Sequence, residues 1–255
     1  KTELILFKIN RDDITAKAEL YKFKDGKVVL LGQTPMDYVN GHIKISPGRV
    51  AQDKIGVYVD SGVGAHSGFT ELLVYEDGRF KNVFHDLEEI DESISDMALQ
   101  PYVTISEDID NDGIIEMSCL KEFMGYEDKP MASKQMFTIW YKGDGDRKFK
   151  EVMRTYEDNL DGFRFVFPEN WDDRISIDVN EKTGIRKTSF SFMANENSKK
   201  RPLFSIYSFD IDRWRSLEKE RKSNFKEILQ YLNKIYVVEL YNEDKDLDDW
   251  FLKTD

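Results

Sequence analysis

Three stretches of this 255-residue chain share one pattern: "AELYKFKDGKVVLLG" at 18–32, "TELLVYEDGRFKNVF" at 70–84 and "MFTIWYKGDGDRKFKEV" at 136–152. In each, apolar and polar side chains alternate on both sides of an Asp-Gly pair. Alternation with period two lines up one apolar face of a strand, and Asp-Gly accepts the positive φ angles of a tight turn, so each stretch predicts a β-hairpin. The tips fall at Asp25-Gly26, Asp77-Gly78 and Asp144-Gly145, spaced 52 and then 67 residues apart. Recurrence on that scale is the mark of repeated sheet units, here with one longer insertion.

Further strand candidates lie between the hairpins: "GHIKIS" at 41–46, "KIGVYVDS" at 54–61, "YVTISED" at 102–108 and "GIIEMSCL" at 113–120. They bring each repeat to about four strands, as in the blade of a propeller. About three blades fall short of the four to eight that close a ring, so either blades precede Lys1 or the array stays open. The segment "HDLEEIDESISDMALQ" at 85–100 reads as a helix or a long loop.

After "RTYEDNLDG" the pattern changes. "GFRFVFPENWDDRISIDVN" predicts a strand, a turn from Pro168 to Trp171, and a second strand with Ile175, Ile177 and Val179 on one face. "KTSFSFMAN" and "LFSIYSF" predict two more strands, and "DIDRWRSLEKERKS" at 210–223 is rich in helix formers. "FKEILQYLNKIYVVELYN" reads as a hairpin turning at Asn233-Lys234, because β-branched and aromatic residues dominate its second half. A length of 255 residues suits two cores. The expected architecture is therefore mainly β plus α+β: a partial β-propeller-like domain over 1–158 and an antiparallel α/β sandwich over 159–255.

Charge narrows the partners. The net charge is −12, and residues 1–159 carry 30 acids against 20 bases. Such a surface repels phosphate backbones and anionic headgroups, which argues against nucleic acid and favours cations. Residues 199–226 hold nine bases against four acids, a local patch that reads first as a solvated helix face. Cys119 is the one cysteine, so disulfides within the chain and multi-thiolate sites are excluded, and its apolar neighbours predict a buried, inert thiol. No apolar run reaches the roughly 18 residues of a membrane span. The chain opens at Lys1 without a methionine, and a removed leader or lipid anchor is expected to have preceded it.

The stretch "SEDIDNDGIIEM" at 106–117 is where chemistry concentrates. Asp108, Asp110, Asp112 and Glu116 stand at even spacings around Gly113. Carboxylates in a tightly curled loop can point to one centre, and Gly113 accepts the backbone angles that curling needs. Counting from Asp108, position seven offers the carbonyl of Ile114, while position twelve, the bidentate acid of an EF-hand, is Cys119. The EF-hand reading fails, and a nine-residue cation loop between strands replaces it. In a structure grown with calcium, a centre with six or more oxygens would settle the site; a water or a lysine ammonium in that position would sink it.

Elsewhere the signals are weaker. "SGVGAHSG" at 61–68 leads into a strand and lacks the helix a phosphate cradle requires. His42, His66 and His85 are scattered, without zinc-site spacing. Acid pairs such as Glu88-Glu89 and Asp172-Asp173 are expected by chance among 49 acids.

"DIDNDGIIE" resembles the calcium loop of FG-GAP or VCBS repeats, with the pattern D-x-D-x-D-G-x-x-D/E between strands. By that resemblance the ligands of one structural Ca2+ are Asp108, Asp110, Asp112 and Glu116, with Ile114 through its carbonyl. Only this repeat carries the loop; "KINRDDI" and "YVDSGVGAHSG" lack the alternating acids. Over its length the chain resembles a group of uncharacterised extracytoplasmic lipoproteins of Gram-positive bacteria, in which partial propeller repeats precede a domain opening with "GFxFxFPxxW", here Gly162, Phe163, Phe165, Phe167, Pro168 and Trp171. That small domain is similar to sandwiches of the photosystem extrinsic-subunit type, which serve as binding or assembly modules. The resemblance implies a non-enzymatic cell-surface binding or scaffold protein, secreted or held by a removed N-terminal lipid anchor, with a protein or cell-wall partner. The rival expectation is an extracellular hydrolase with an acidic cleft between the domains, using scattered acids and His66.

Overall fold

The computed structural model describes residues 3–37, 41–64, 67–85, 97–217, 222 and 224–241, without the side chains of His42 and Ile43. These residues fold mainly as β-strands arranged in open sheets. The chain forms two compact units, residues 1–120 with 138–154 and residues 121–137 with 155–255.

In the first unit, strands β1 (Glu3–Asn10), β2 (Thr15–Lys24) and β3 (Lys27–Met36) form an antiparallel meander. Strands β4 (Gly41–Ala51), β5 (Lys54–Val63), β6 (Ser67–Glu76) and β7 (Arg79–Asn82) form a second, with β8 (Leu99–Gln100) paired to β6. Two of the Asp-Gly tips are the tight turns expected. Lys24 pairs with Lys27 across Asp25 (φ 51°) and Gly26 (φ 74°), and Glu76 pairs with Arg79 across Asp77 (φ 50°) and Gly78 (φ 76°). Both central residues in the left-handed region match the right-handed twist of the flanking strands.

The third tip is longer. Strands β10 (Met136–Gly143) and β11 (Phe149–Asp158) are joined by residues 144–148, closed by the Asp144 amide donating to the Lys148 carbonyl at 3.0 Å. The Asp144 carboxylate accepts the Asp146 amide at 2.8 Å, so this aspartate closes a loop by its side chain instead of occupying the turn itself.

Strand β5 buries both faces. Val57 and Val59 join Ala18, Leu20, Met36, Leu73 and Phe80 in one core; Tyr58, on the opposite parity, joins Val50, Leu72, Phe84, Met117 and Cys119 in another. Close approach is needed at Gly32, where a Cβ would lie 2.9 Å from Cβ of Phe80. Cys119 is buried as expected, and burial pushes its thiol up to about 12, so it is unreactive at neutral pH.

The segment 102–108 is not a laddered strand. Its polar groups bond to side chains: the Ser106 amide to Asp60, the Ile105 carbonyl to the Ser118 hydroxyl, and the Thr104 hydroxyl to the Ser118 carbonyl. Regular pairing is limited to a bridge between Glu107 and Glu116, after which β9 runs over Met117–Glu122. Of the segment 85–100, residues 86–96 lie outside the described residues, and Leu99–Gln100 is strand.

In the second unit, β12 (Phe163–Val166) pairs with β11. Strands β13 (Ile175–Lys182), β14 (Ile185–Phe192), β15 (Arg201–Asp210), β16 (Lys226–Tyr231) and β17 (Lys234–Leu240) form an antiparallel sheet in the order β13-β14-β15-β17-β16. The "GFxFxFPxxW" stretch is a packing device: Phe165 packs in tilted contact with Phe190 and Phe204, ring centroids 5.0 and 5.3 Å away, and Phe167 and Trp171 lie 5.9 Å apart, centroid to centroid. The turn after it is closed by the Trp171 amide on the Pro168 carbonyl at 2.9 Å.

Two expectations shift. The last hairpin turns at Leu232-Asn233, one residue earlier than Asn233-Lys234, because Lys234 is already paired with Tyr231. Of the helix expected over 210–223, the described residues show α1, Ile211–Arg215, anchored by buried Trp214 against Phe209, Ile235 and Val237, and a helical Lys222; residues 218–221 and 223 lie outside the described residues.

Candidate metal centre

Loop 108–116 is held at its base by buried polar side chains. Asp60, fully buried in β5, accepts the Ser106 amide at 2.8 Å, the Ser106 hydroxyl at 2.9 Å and the Thr70 hydroxyl at 2.9 Å. Burial raises the Asp60 carboxyl, and these donors work against that rise. Ser46 donates to the Ser106 carbonyl, and the Glu107–Glu116 bridge pins both ends of the loop through reciprocal amide bonds of 3.1 and 2.9 Å. The Ile115 amide adds a bond of 2.8 Å to the Arg49 carbonyl of β4.

Within this frame the loop curls. Asn111 (φ 61°) and Gly113 (φ 84°) adopt left-handed backbone. The Gly113 amide donates to Asp108 at 2.9 Å, the Asp112 amide to Asp110 at 3.1 Å, the Ile114 amide to Asp112 at 2.8 Å, and the Ile109 amide to Glu116 at 3.0 Å. Each carboxylate is thus aimed by one oxygen, leaving the other to face elsewhere.

The curl brings oxygens of Asp108, Asp110 and Glu116 within 4.8 Å of one another. Points on a sphere of radius about 2.4 Å are at most about 4.8 Å apart, so these three oxygens could share one cation, a group to which Asp112 does not belong. Two of the buried oxygens, Oδ1 of Asp108 and Oε1 of Glu116, accept no hydrogen bond. Ile114 is buried and tied to Asp112 by its amide.

A cationic side chain that spacing along the loop does not reveal enters the same group. Nζ of Lys142, on β10, lies 2.5 Å from Asp112, 3.1 Å from Asp110 and, as an ion pair, 3.2 Å from Oε1 of Glu116. Burial by itself would lower the Lys142 pKa, but the three carboxylates outweigh it and raise it above the ordinary value. Asp112 is held below the usual carboxylate range by Lys142 and the Ile114 amide, whereas burial raises Glu116. Lys142 is absent from any local motif because it belongs to the third hairpin, 26 residues beyond Glu116.

Among the described residues the other candidates gather no comparable group. The side chains of His42 and His66, and Glu88 and Glu89, lie outside the described residues. Asp172 is engaged by Arg174 and Asp173 by Lys121. In the first-unit turns, Asn10 closes on Asp12 and Asp13 of its own loop. Sequence reasoning also passed over Asp60 and Glu71, although parity gives the signal: Asp60 shares a face with Tyr58, and Glu71 lies between Phe69 and Leu73 on one face of β6.

Compared with protein-family profiles, with curated proteins and with solved structures, the chain matches none.

Proposed function

We propose that this protein is an exported, non-catalytic binding or scaffold module of the cell surface whose loop 108–116 takes one structural calcium ion. In this reading the first unit is an incomplete FG-GAP/VCBS-type propeller, the second an α/β sandwich, and a removed N-terminal lipid anchor held the chain outside the membrane, where a protein or cell-wall component is its partner.

The observation that carries the calcium is Asp108 Oδ1, a buried oxygen with no hydrogen-bond donor, in a group that could share one ion with Glu116, whose Oε1 has the Lys142 ammonium at 3.2 Å. The Lys142 ammonium is the argument on the other side. It brings one positive charge and at most three donors to four carboxylates, and it does not reach Asp108. A divalent cation that takes six to eight oxygens answers the charge and the lone pairs more fully. The proposed ligands are Asp108, Asp110, Asp112 and Glu116, with the Ile114 carbonyl. The ion would supply charge neutralisation and a tie between the two ends of the loop, and extracellular modules of this chemistry work with dissociation constants as weak as about 10⁻³ M.

Thermal unfolding in excess chelator and in calcium raised stepwise to about 0.1 M, a hundredfold over a Kd of about 10⁻³ M, at equal ionic strength, tests this. Binding to the folded form alone adds about 2.7 kcal/mol at a hundredfold excess over Kd. That corresponds to a rise of several degrees in melting temperature, about 2–4 °C per kcal/mol at this size. Asp108→Asn should abolish the rise. An unchanged melting temperature in wild type removes the calcium from the proposal.

A further inference from the structure

We propose that Lys142 is the built-in counter-ion of loop 108–116, an intramolecular competitor that calcium must displace, so that this one side chain sets the concentration at which the loop fills. The proposal rests on the calcium reading above and adds its regulation.

The geometry places the ammonium and the ion in one location. Lys142 Nζ contacts Asp110, Asp112 and Glu116, and two of these, Asp110 and Glu116, belong to the trio whose oxygens converge within 4.8 Å. An ammonium about 3 Å from carboxylate oxygens of Asp110 and Glu116 repels a second cation at close range. The two occupants therefore exclude each other.

The rest of Lys142 allows exchange. Its side chain is 23% exposed, so the head has a route to solvent, and a four-carbon stem can swing without moving the strand. The strand itself is fixed beside it: at Gly143 a Cβ would lie 3.0 Å from the Phe149 ring and 3.5 Å from the Tyr58 hydroxyl. The backbone of β10 thus holds the lysine at the loop while the ammonium is free to leave.

Two consequences follow. Without calcium, Lys142 neutralises part of the loop and keeps it curled. With calcium, the apparent affinity is the intrinsic one multiplied by the fraction of molecules with the lysine swung out. A loop held ready but filled only at high calcium suits a protein that meets the ion outside the cell and not before.

Titration calorimetry with calcium chloride alone, in chelator-stripped buffer, tests this on the whole chain as wild type, Lys142→Met and Lys142→Arg. Lys142→Met keeps the stem and removes the charge. It should bind calcium about tenfold more tightly or better, given the population argument, and should melt lower than wild type in chelator. Lys142→Arg should bind no more tightly than wild type. If Lys142→Met does not fold in chelator, folding induced by calcium at concentrations below those that shift wild-type melting reads the same gain. Equal or weaker binding by Lys142→Met overturns the competitor role while leaving the calcium site standing. Heat in none of the three overturns the calcium reading, and this inference with it.

Discussion

Glu71 shows most plainly how a single residue can be set against its environment in this protein. It lies fully buried in β6; Oε1 accepts the Asn82 side-chain amide at 2.6 Å and the Asp37 amide at 3.1 Å, and Oε2 has no donor. Burial outweighs those two bonds and pushes the carboxyl up to about 8, so the folded protein carries it protonated at neutral pH. Because the folded-state pKa is raised above the ordinary 4.5, the folded form binds more protons than the unfolded one between 4.5 and 8. The stability it contributes is whole below about 4.5 and is lost as pH rises through about 8. Urea denaturation at pH 6 and pH 9 should show a lower midpoint at pH 9, and Glu71→Gln, a neutral isostere, should remove that part of the slope. A slope unaltered in Glu71→Gln would mean that other groups carry it. The contrast with Lys142 explains what was legible at this scale. Strand parity alone marks Glu71 as an acid on an apolar face, and even spacing alone marks Asp108, Asp110, Asp112 and Glu116, whereas Lys142 meets them only through the packing of β10 beside the loop.

At the scale of elements, hairpins were readable wherever the turn chemistry was local. Asp25-Gly26 and Asp77-Gly78 adopt the paired positive φ angles that Asp-Gly favours. The last hairpin turns differently: of its two central residues only Leu232, and not Asn233, has positive φ. Leu232, 81% exposed, sits at φ 51° in the turn between β16 and β17, a conformation costing an L-residue roughly 1–2 kcal/mol. Asn tolerates that region and makes local turn bonds. Leu232→Asn is therefore expected to stabilise the protein by about 0.5–1 kcal/mol, a fraction of that strain, read as a higher urea midpoint at constant slope. The opposite sign would show that Leu232 is held by contacts that its exposure does not suggest. The segment 102–108 defeated the alternation rule for a different reason: its rungs are side-chain hydroxyls and Asp60, which fix it as firmly as a ladder without the backbone pattern. Close packing depends on Gly68, where a Cβ would lie 2.5 Å from the Tyr102 carbonyl oxygen and 2.6 Å from Cα of Val103. Gly68→Ala must push this segment away and should cost about 1–3 kcal/mol, as overpacking does. Since the segment leads into loop 108–116, the same variant should need more calcium to reach its stabilised form.

For the molecule as a whole, each compact unit draws on two stretches of chain, and the divisions at 120, 137 and 154 fall inside β9, β10 and β11. Periodicity read along a sequence finds strands but not this exchange, because nothing in the alternation of a strand changes where it passes from one core to another. Charge is the property that belongs to the entire surface and is read directly from composition. A net charge of −12 sets long-range self-repulsion against many short ion pairs, such as the chain from Lys54 through Glu76 and Lys81 to Asp146. Exposed pairs of this kind are worth about 0–1 kcal/mol each, and their contact distances lie inside the screening length at any ordinary salt. The repulsion acts over the molecule, and raising the salt from 0.01 M to 0.15 M shortens the Debye length from about 30 Å to about 8 Å. Screening should therefore remove more repulsion than attraction, and the melting temperature in chelator should rise between those two sodium chloride concentrations. A fall would show that the local pairs outweigh the net charge. On the proposed calcium reading, calcium at the same final ionic strength should raise it further, because an ion bound at loop 108–116 offsets two of its negative charges while screening only weakens their field.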